Sequence, residues 1–337
     1  MYWVSINMAA NAGCRNQKMG QRANYILIEN NSQSIHYNHW RANCIVQDLY
    51  LGEKRFIEFV RTCKPDSEIM NEVWIEGCVI INLPKKELHF WSLEFEQTSA
   101  VEIYLRELHR KWRGWSIELL RNRMYDAEKV LNIDYISIQE LVEPGNCTID
   151  EIIADKIGEW QTALVIIKTN AETHTTLTGN IHIGGILNFG EPILEVLMAK
   201  PQYELPNESD YRFCQCIVID AVSKEIIIDS SEFGLWEQTY KKWDGYKFKM
   251  GDFGYIGVLK LAGFETEKVI MPPDKAWQVF NDMVKQSNTF NPLAMAKLLM
   301  REGKDIKFSP DFFDNVSPKK TIFERVKNSI KKSVSKK

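Results

Sequence analysis

Cys78-Val79-Ile80-Ile81-Asn82 returns 138 residues later as Cys216-Ile217-Val218-Ile219-Asp220: a cysteine, three branched aliphatics and a small polar residue. A continuous apolar run of this length, bounded by turn residues, reads as a strand covered on both faces. Each run is followed by a short polar connection, then Lys86-Glu87 or Lys224-Glu225, then an apolar return through Leu88 and Phe90 or Ile226 and Ile228. Both stretches therefore read as β-hairpins.

The likeness spreads outward from these hairpins. Residues 36–95 and 174–233 align without a gap and share 12 of 60 positions, against roughly 6% expected by chance for average composition. The identical pairs include His36/His174, Ile45/Ile183, Leu49/Leu187, Gly52/Gly190, Glu53/Glu191, Cys78/Cys216 and Phe95/Phe233. After Gly52, Phe56, Phe59 and Val60 fall at helical spacing, and Leu194, Leu197 and Met198 hold the same places after Gly190, with Pro192 suited to a first helical turn. Beyond a seven-residue deletion, Lys111-Trp112-Arg113-Gly114-Trp115 parallels Lys242-Trp243-Asp244-Gly245-Tyr246. Val101, Leu105, Leu108 and Trp112 lead there as a helix, which Gly114 closes.

The fold expected is α+β: two tandem, pseudo-symmetric copies of one unit built from antiparallel hairpins with packed helices. The copies cover 19–143 and 150–271, with Pro144-Gly145-Asn146 near the join. An extension (1–18) precedes them. A helical appendix (272–303), opened by Pro272-Pro273-Asp274 and then Asn291-Pro292 and closed by Gly303, is expected to pack against the second copy, and a basic tail (304–337) follows.

Composition bounds the function. The 337 residues suffice for about two domains, and 45% hydrophobic with 11% aromatic residues excludes a disordered chain. No apolar run reaches the ~20 residues of a membrane-spanning helix. Seven cysteines scattered over the chain make no disulfide framework and suit a reducing, cytoplasmic compartment. The net charge of −3 hides a division: 319–337 carries eight bases against Glu324, a net +7, which leaves −10 on the preceding residues. An acidic body argues against general nucleic-acid binding and suits a basic partner. In the tail, Ile322, Val326, Ile330 and Val334 recur every fourth residue among lysines, a pattern able to touch an anionic membrane surface weakly.

Searches for reactive motifs return little. The phosphate-cradling loop, dinucleotide turn, zinc helix, paired Cys-x-x-Cys and nucleophile elbow are all missing from the sequence. No cofactor and no metal is expected. Four clusters stand out instead. In His36-Tyr37-Asn38-His39-Trp40-Arg41, alternation puts His36 and Asn38 on one face and Tyr37 and His39 on the other. Tyr37, His39, Trp40 and Arg41 have no match in the second copy, so a function confined to the first would sit there. Gly179-Asn180-Ile181-His182-Ile183-Gly184-Gly185 could present backbone amides to an anion or mark a bulge, and His182 aligns with Cys44. Cys214-x-Cys216 reads as core packing, and the repeated Lys-Glu pairs as solvated turns.

Met19-Gly20-Gln21-Arg22-Ala23-Asn24, His39-Trp40 with Ala42-Asn43, Trp74-x-Glu76-Gly77 and Trp112-x-Gly114-Trp115 together resemble an uncharacterised bacterial protein family. That family has no established activity, so the resemblance implies a bacterial cytoplasmic origin and carries no catalytic residue. Arg22 joins Tyr37, His39, Trp40, Arg41 and His182 as candidate binding residues. The expectation for function is a non-enzymatic intracellular binding protein, of immunity or inhibitor type, acting on a basic protein. The alternatives are a hydrolase with its site between the copies or near His39 and His182, and peripheral membrane association through 319–337.

Overall fold

A computed structural model of the chain describes residues 21–30, 32–70, 75–92, 95, 98–134, 148–149, 163–178, 183–210, 215–229, 235–251, 254–285, 297, 301 and 318. The first unit runs β1 (Ala23–Glu29), β2 (Ser32–Asn38), α1 (Ile45–Leu49), α2 (Glu53–Val60), β3 (Lys64–Asp66), β4 (Gly77–Asn82), β5 (Glu87–Ser92), α3 (Thr98–Lys111), β6 (Ser116–Leu119) and α4 (Arg123–Leu131). The second runs β7 (Ala163–Lys168), β8 (Thr173–Thr178), α5 (Ile183–Phe189), α6 (Ile193–Met198), β9 (Gln215–Asp220), β10 (Glu225–Ile228), α7 (Leu235–Thr239), β11 (Lys247–Met250) and α8 (Tyr255–Leu261), and α9 (Pro273–Lys285) follows.

The protein is α+β, with two mixed sheets that share one plan. The first has order β3-β2-β1-β4-β5-β6 and the second β11-β10-β9-β7-β8. In each, an antiparallel hairpin (β1–β2, β7–β8) joins in parallel to the strand of a second hairpin (β4–β5, β9–β10), which takes a last strand in parallel (β6, β11). Val79 and Ile217 are both fully buried on corresponding sheet faces, under α1–α3 and under α5–α7 respectively. The reverse faces are covered by α4 and by α8. Beside β8 the chain after α6 stands where β3 stands beside β2, with the Tyr203 amide donating to the Thr175 carbonyl at 2.7 Å.

Register tests the alignment residue by residue. The 138-residue shift holds for β4/β9 and β5/β10, because Cys78 faces Trp91 and Cys216 precedes Ile217, which faces Ile228. The seven-residue deletion also holds: Glu87 faces Ser116, and Glu225 faces Lys247. The first hairpin differs. Asn24 faces Cys78 while Leu164 faces Cys216, so β1 maps onto β7 two residues further along. Tyr25 then faces His36, and its counterpart Val165 faces Thr176. His36 and His174 are therefore not equivalent; the gapless alignment had paired them by chance across a two-residue offset.

The helices follow from their caps and stripes. Gly52 (φ 93°) and Gly190 (φ 78°) turn the chain into α2 and α6. A Cβ on Gly190 would stand 2.5 Å from the Lys242 carbonyl oxygen, whereas on Gly52 the nearest atom is the Lys111 carbonyl oxygen at 4.0 Å. In α6 the fully inward residues are Ile193 and Leu197, and Leu194 and Met198 are only partly buried, unlike the Phe56, Phe59 and Val60 stripe of α2. Pro192 starts the turn there, which makes α6 two residues shorter than α2. The repeated lysines of the hairpins hold left-handed conformations, Lys86 at φ 53° and Lys224 at φ 54°, closing four-residue turns.

The units meet reciprocally. On one side α3 of the first packs on α8 of the second, with the Gly257 amide donating to Thr98 Oγ1 at 3.1 Å and Lys260 Nζ 2.6 Å from Glu102 Oε1. On the other, Tyr125 of α4 lies near enough to Glu237 of α7 for that carboxylate to help raise its phenol above the usual range. Since α7 corresponds to α3 and α8 to α4, the two contacts are related as in a twofold dimer. Contrary to the sequence expectation, α9 packs on the first unit, not the second: Ala276 and Phe280 enter the core beneath α1 and α3, and Gln47 Nε2 donates to the Met283 carbonyl at 3.1 Å. Its apolar stripe has somewhere to go there because Tyr50 and Tyr104 line that surface. The join near 144–146, the second appendix helix apart from 297 and 301, the extension 1–18 and the segment 319–337 lie outside the described residues. No helix among the described residues is long and apolar enough to cross a membrane.

Candidate functional site

Where β1 and β4 begin and β2 and β5 end, four distant stretches converge. The Gln21 carbonyl accepts from the Arg41 and Ala42 amides, both at 2.8 Å, and Asn38 Oδ1 accepts from the Trp40 amide at 3.2 Å. These bonds bend the chain away from β2 and aim Arg41 inward. Beside them Arg22 and Glu76 grip each other: the Arg22 amide donates to Glu76 Oε2 at 2.5 Å, and the Glu76 amide returns a bond to the Arg22 carbonyl at 2.9 Å. Met70 closes the group, its amide donating to Asn24 Oδ1 at 2.8 Å.

Arg41 is the centre. Its Nε and Nη2 bind the two carboxylate oxygens of Asp48 at 2.7 and 2.5 Å, and its guanidinium lies 5.8 Å from the Phe59 ring centre. Both partners are buried, Arg41 at 7% exposure and Asp48 at 1%. Tyr25, Asn38, Cys44 and Cys63 surround the pair. Cys63 Sγ accepts from Asn38 Nδ2 at 3.8 Å, and the Tyr25 hydroxyl, fully buried, has no hydrogen-bond partner among the described residues. Burial pushes the Asp48 carboxyl up to about 6, with the hydrogen bonds and charge of Arg41 opposing. Burial raises the Cys63 thiol to about 12 and drives Tyr25 well above the usual phenol range. The thiol therefore stays protonated and unreactive at neutral pH.

The structure brings Arg22, Tyr37, His39, Trp40 and Arg41 to this one end of the sheet. Tyr37 and His39 share a face as alternation requires, with the Tyr37 hydroxyl 2.9 Å from His39 Nδ1, and the His39 ring lies 4.4 Å from that of Trp40. His36 and Asn38 share the other face, and both reach Cys63, His36 at its carbonyl. Tyr37, His39, Trp40 and Arg41 are all buried, so they form an internal cluster and not an open aromatic surface. His182, like Cys214, lies outside the described residues. The described cysteines, Cys44, Cys63, Cys78 and Cys216, are free and buried. Among the described residues no group of three or more His, Cys, Asp or Glu side chains is placed to hold a metal ion.

Sequence reasoning missed Asp48, although a signal was present. It stands among Ile45, Val46 and Leu49 on the inward side of α1, a charge in an apolar stripe. In the second unit the place of Asp48 is taken by Ile186 and that of Tyr25 by Val165, both fully buried. The same sheet-and-helix arrangement thus closes without the ion pair. Replacing a buried ion pair by apolar residues of similar size is often neutral or stabilising, so its presence in one unit is weak evidence for a role in stability. No family model, no curated protein and no solved structure matches this sequence.

Proposed function

We propose that the protein works by binding, with a basic protein as its partner, in the manner of an immunity or inhibitor protein. The observation that carries this reading is the excess of ten negative charges on the chain ahead of residue 319. Exposed carboxylates at Glu204, Asp210, Glu265 and Glu267 belong to two segments tied together by bonds from the Glu208 amide to the Val269 carbonyl and from Asn207 Nδ2 to the Ile270 carbonyl. Such a surface accelerates and orients the approach of a cationic partner and weakens with salt. The chemistry of the Arg41 cluster is compatible with support of a binding surface: the Asp48 oxygens are occupied by Arg41 and the thiol is held protonated.

The test is affinity capture by the full chain from its host at low and high salt. Support is a basic protein held at low salt, released at high salt, and lost by a variant carrying Lys at residues 204, 210, 265 and 267. Capture of no specific protein, or equal capture by that variant, overturns the reading.

A further inference from the structure

The crossover between β8 and β9 sends one side chain across the joint. Glu208 is 2% exposed, although it lies in a single 3₁₀ turn (Glu208–Asp210) and not in either core. Its Oε1 accepts from the Ser99 amide at 2.9 Å, in the first turn of α3. Its Oε2 accepts from the Ser99 hydroxyl at 2.5 Å and from the Met271 amide at 3.0 Å, just ahead of α9. The loop is braced where it stands: the Glu208 amide donates to the Val269 carbonyl at 2.7 Å, and the Tyr255 hydroxyl of α8 bonds the Pro206 carbonyl. A carboxylate from the second unit thus occupies the positive end of a fourteen-residue helix of the first. It also fixes the entry of the helix that packs beneath α1 and α3. At the position 138 residues earlier stands Met70, so the arrangement occurs once.

We propose that Glu208 is a clasp that makes the two units and α9 one cooperative body. Three donors from two elements converge on one carboxylate, and removing it leaves two amides and a hydroxyl buried without an acceptor. Two other ties of the joint differ in kind. Lys260–Glu102 is a solvent-facing ion pair, which typically contributes little, and neither it nor the Gly257–Thr98 bond reaches α9.

The full chain is compared as wild type, Glu208→Ala, Glu208→Gln and Lys260→Ala, by calorimetry and by native-state hydrogen exchange. Gln keeps the shape but replaces one acceptor oxygen with a donor, so it cannot accept from the Ser99 amide and the Met271 amide together. The wild type and Lys260→Ala are expected to unfold in one transition, with the Ser99 and Met271 amides opening in the same event. Glu208→Ala is expected to split the transition in two and speed exchange at both amides at least about tenfold together, the equivalent of one lost buried hydrogen bond. A single transition in Glu208→Ala, with unchanged exchange at both amides, overturns the proposal. Should the alanine variant not fold, Glu208→Gln and the wild type decide. Ser99 and Met271 opening independently in the wild type, or protected in the glutamine variant as in the wild type, also overturns it.

Discussion

Arg41 donates both hydrogen bonds of a fork to Asp48 at a site where both side chains are buried. Asp48→Ala takes the carboxylate away from the buried guanidinium, and a loss of about 3–5 kcal/mol is expected in urea unfolding, the range for breaking a buried pair from one side. Arg41→Met with Asp48→Ile, which copies the apolar filling of the second unit, is expected to stay within about 1 kcal/mol of wild type or exceed it. Titration has a definite sign. The folded-state pKa of Asp48 is about 6, above the unfolded value near ~3.9, so the folded chain holds the proton more tightly. The stabilising contribution is complete below about pH 4 and lost as pH rises through about 6. Wild type should therefore gain on the double variant as pH falls from about 7 to 5; a flat difference in urea midpoint contradicts it. Asp48 was legible as a charge inside an apolar stripe, but its partner was not. Arg41 reaches it only because the Gln21 carbonyl and the Asn38 side chain bend the chain between β2 and α1, and no local pattern encodes such a tertiary bond.

Elements repeat where a physical requirement repeats. Trp112 donates its indole N–H to the Leu49 carbonyl at 2.9 Å, and Trp243 donates to that of Leu187 at 2.8 Å. Each ring also meets its neighbour edge-on, Trp115 or Tyr246. Trp112→Phe and Trp243→Phe should each lose about 1 kcal/mol from the hydrogen bond, besides any packing loss, and the two costs should agree closely. The glycines should not behave alike. Gly52→Ala meets only the backbone penalty of an extended, positive-φ conformation that glycine almost alone adopts (φ 93°, ψ 163°), about 1–3 kcal/mol. Gly190→Ala also drives a methyl against the Lys242 carbonyl, so its loss should exceed that of Gly52→Ala by at least about 1 kcal/mol; equal thermal shifts would disprove the crowding. The paired strands, the hairpins and the seven-residue gap were legible because continuous apolar runs and turn geometry leave letters behind. The two-residue offset of β1 and β2 was not, since identical histidines outvoted a register that only sheet pairing reveals.

At the scale of the molecule, the parts joined over the longest chain distances were the least legible. The amphipathic stripe of α9 announced a buried face without naming its host, and tyrosines on α1 and α3 made that host the first unit. Nothing in the sequence singles out Glu208, since a carboxylate that caps a helix 109 residues away has no sequence signature. Arg22, Tyr37, His39, Trp40 and Arg41 fall at one end of a sheet because two strands begin and two end there. The reciprocal contacts, α3 on α8 and α4 on α7, carry one consequence further. Surfaces related in this way are blind to covalent connection: a front half closes equally well on the rear half of another molecule. Two chains can therefore trade halves and rebuild every bond of the joint, Glu208 and α9 included, as an intertwined dimer whose share grows with concentration.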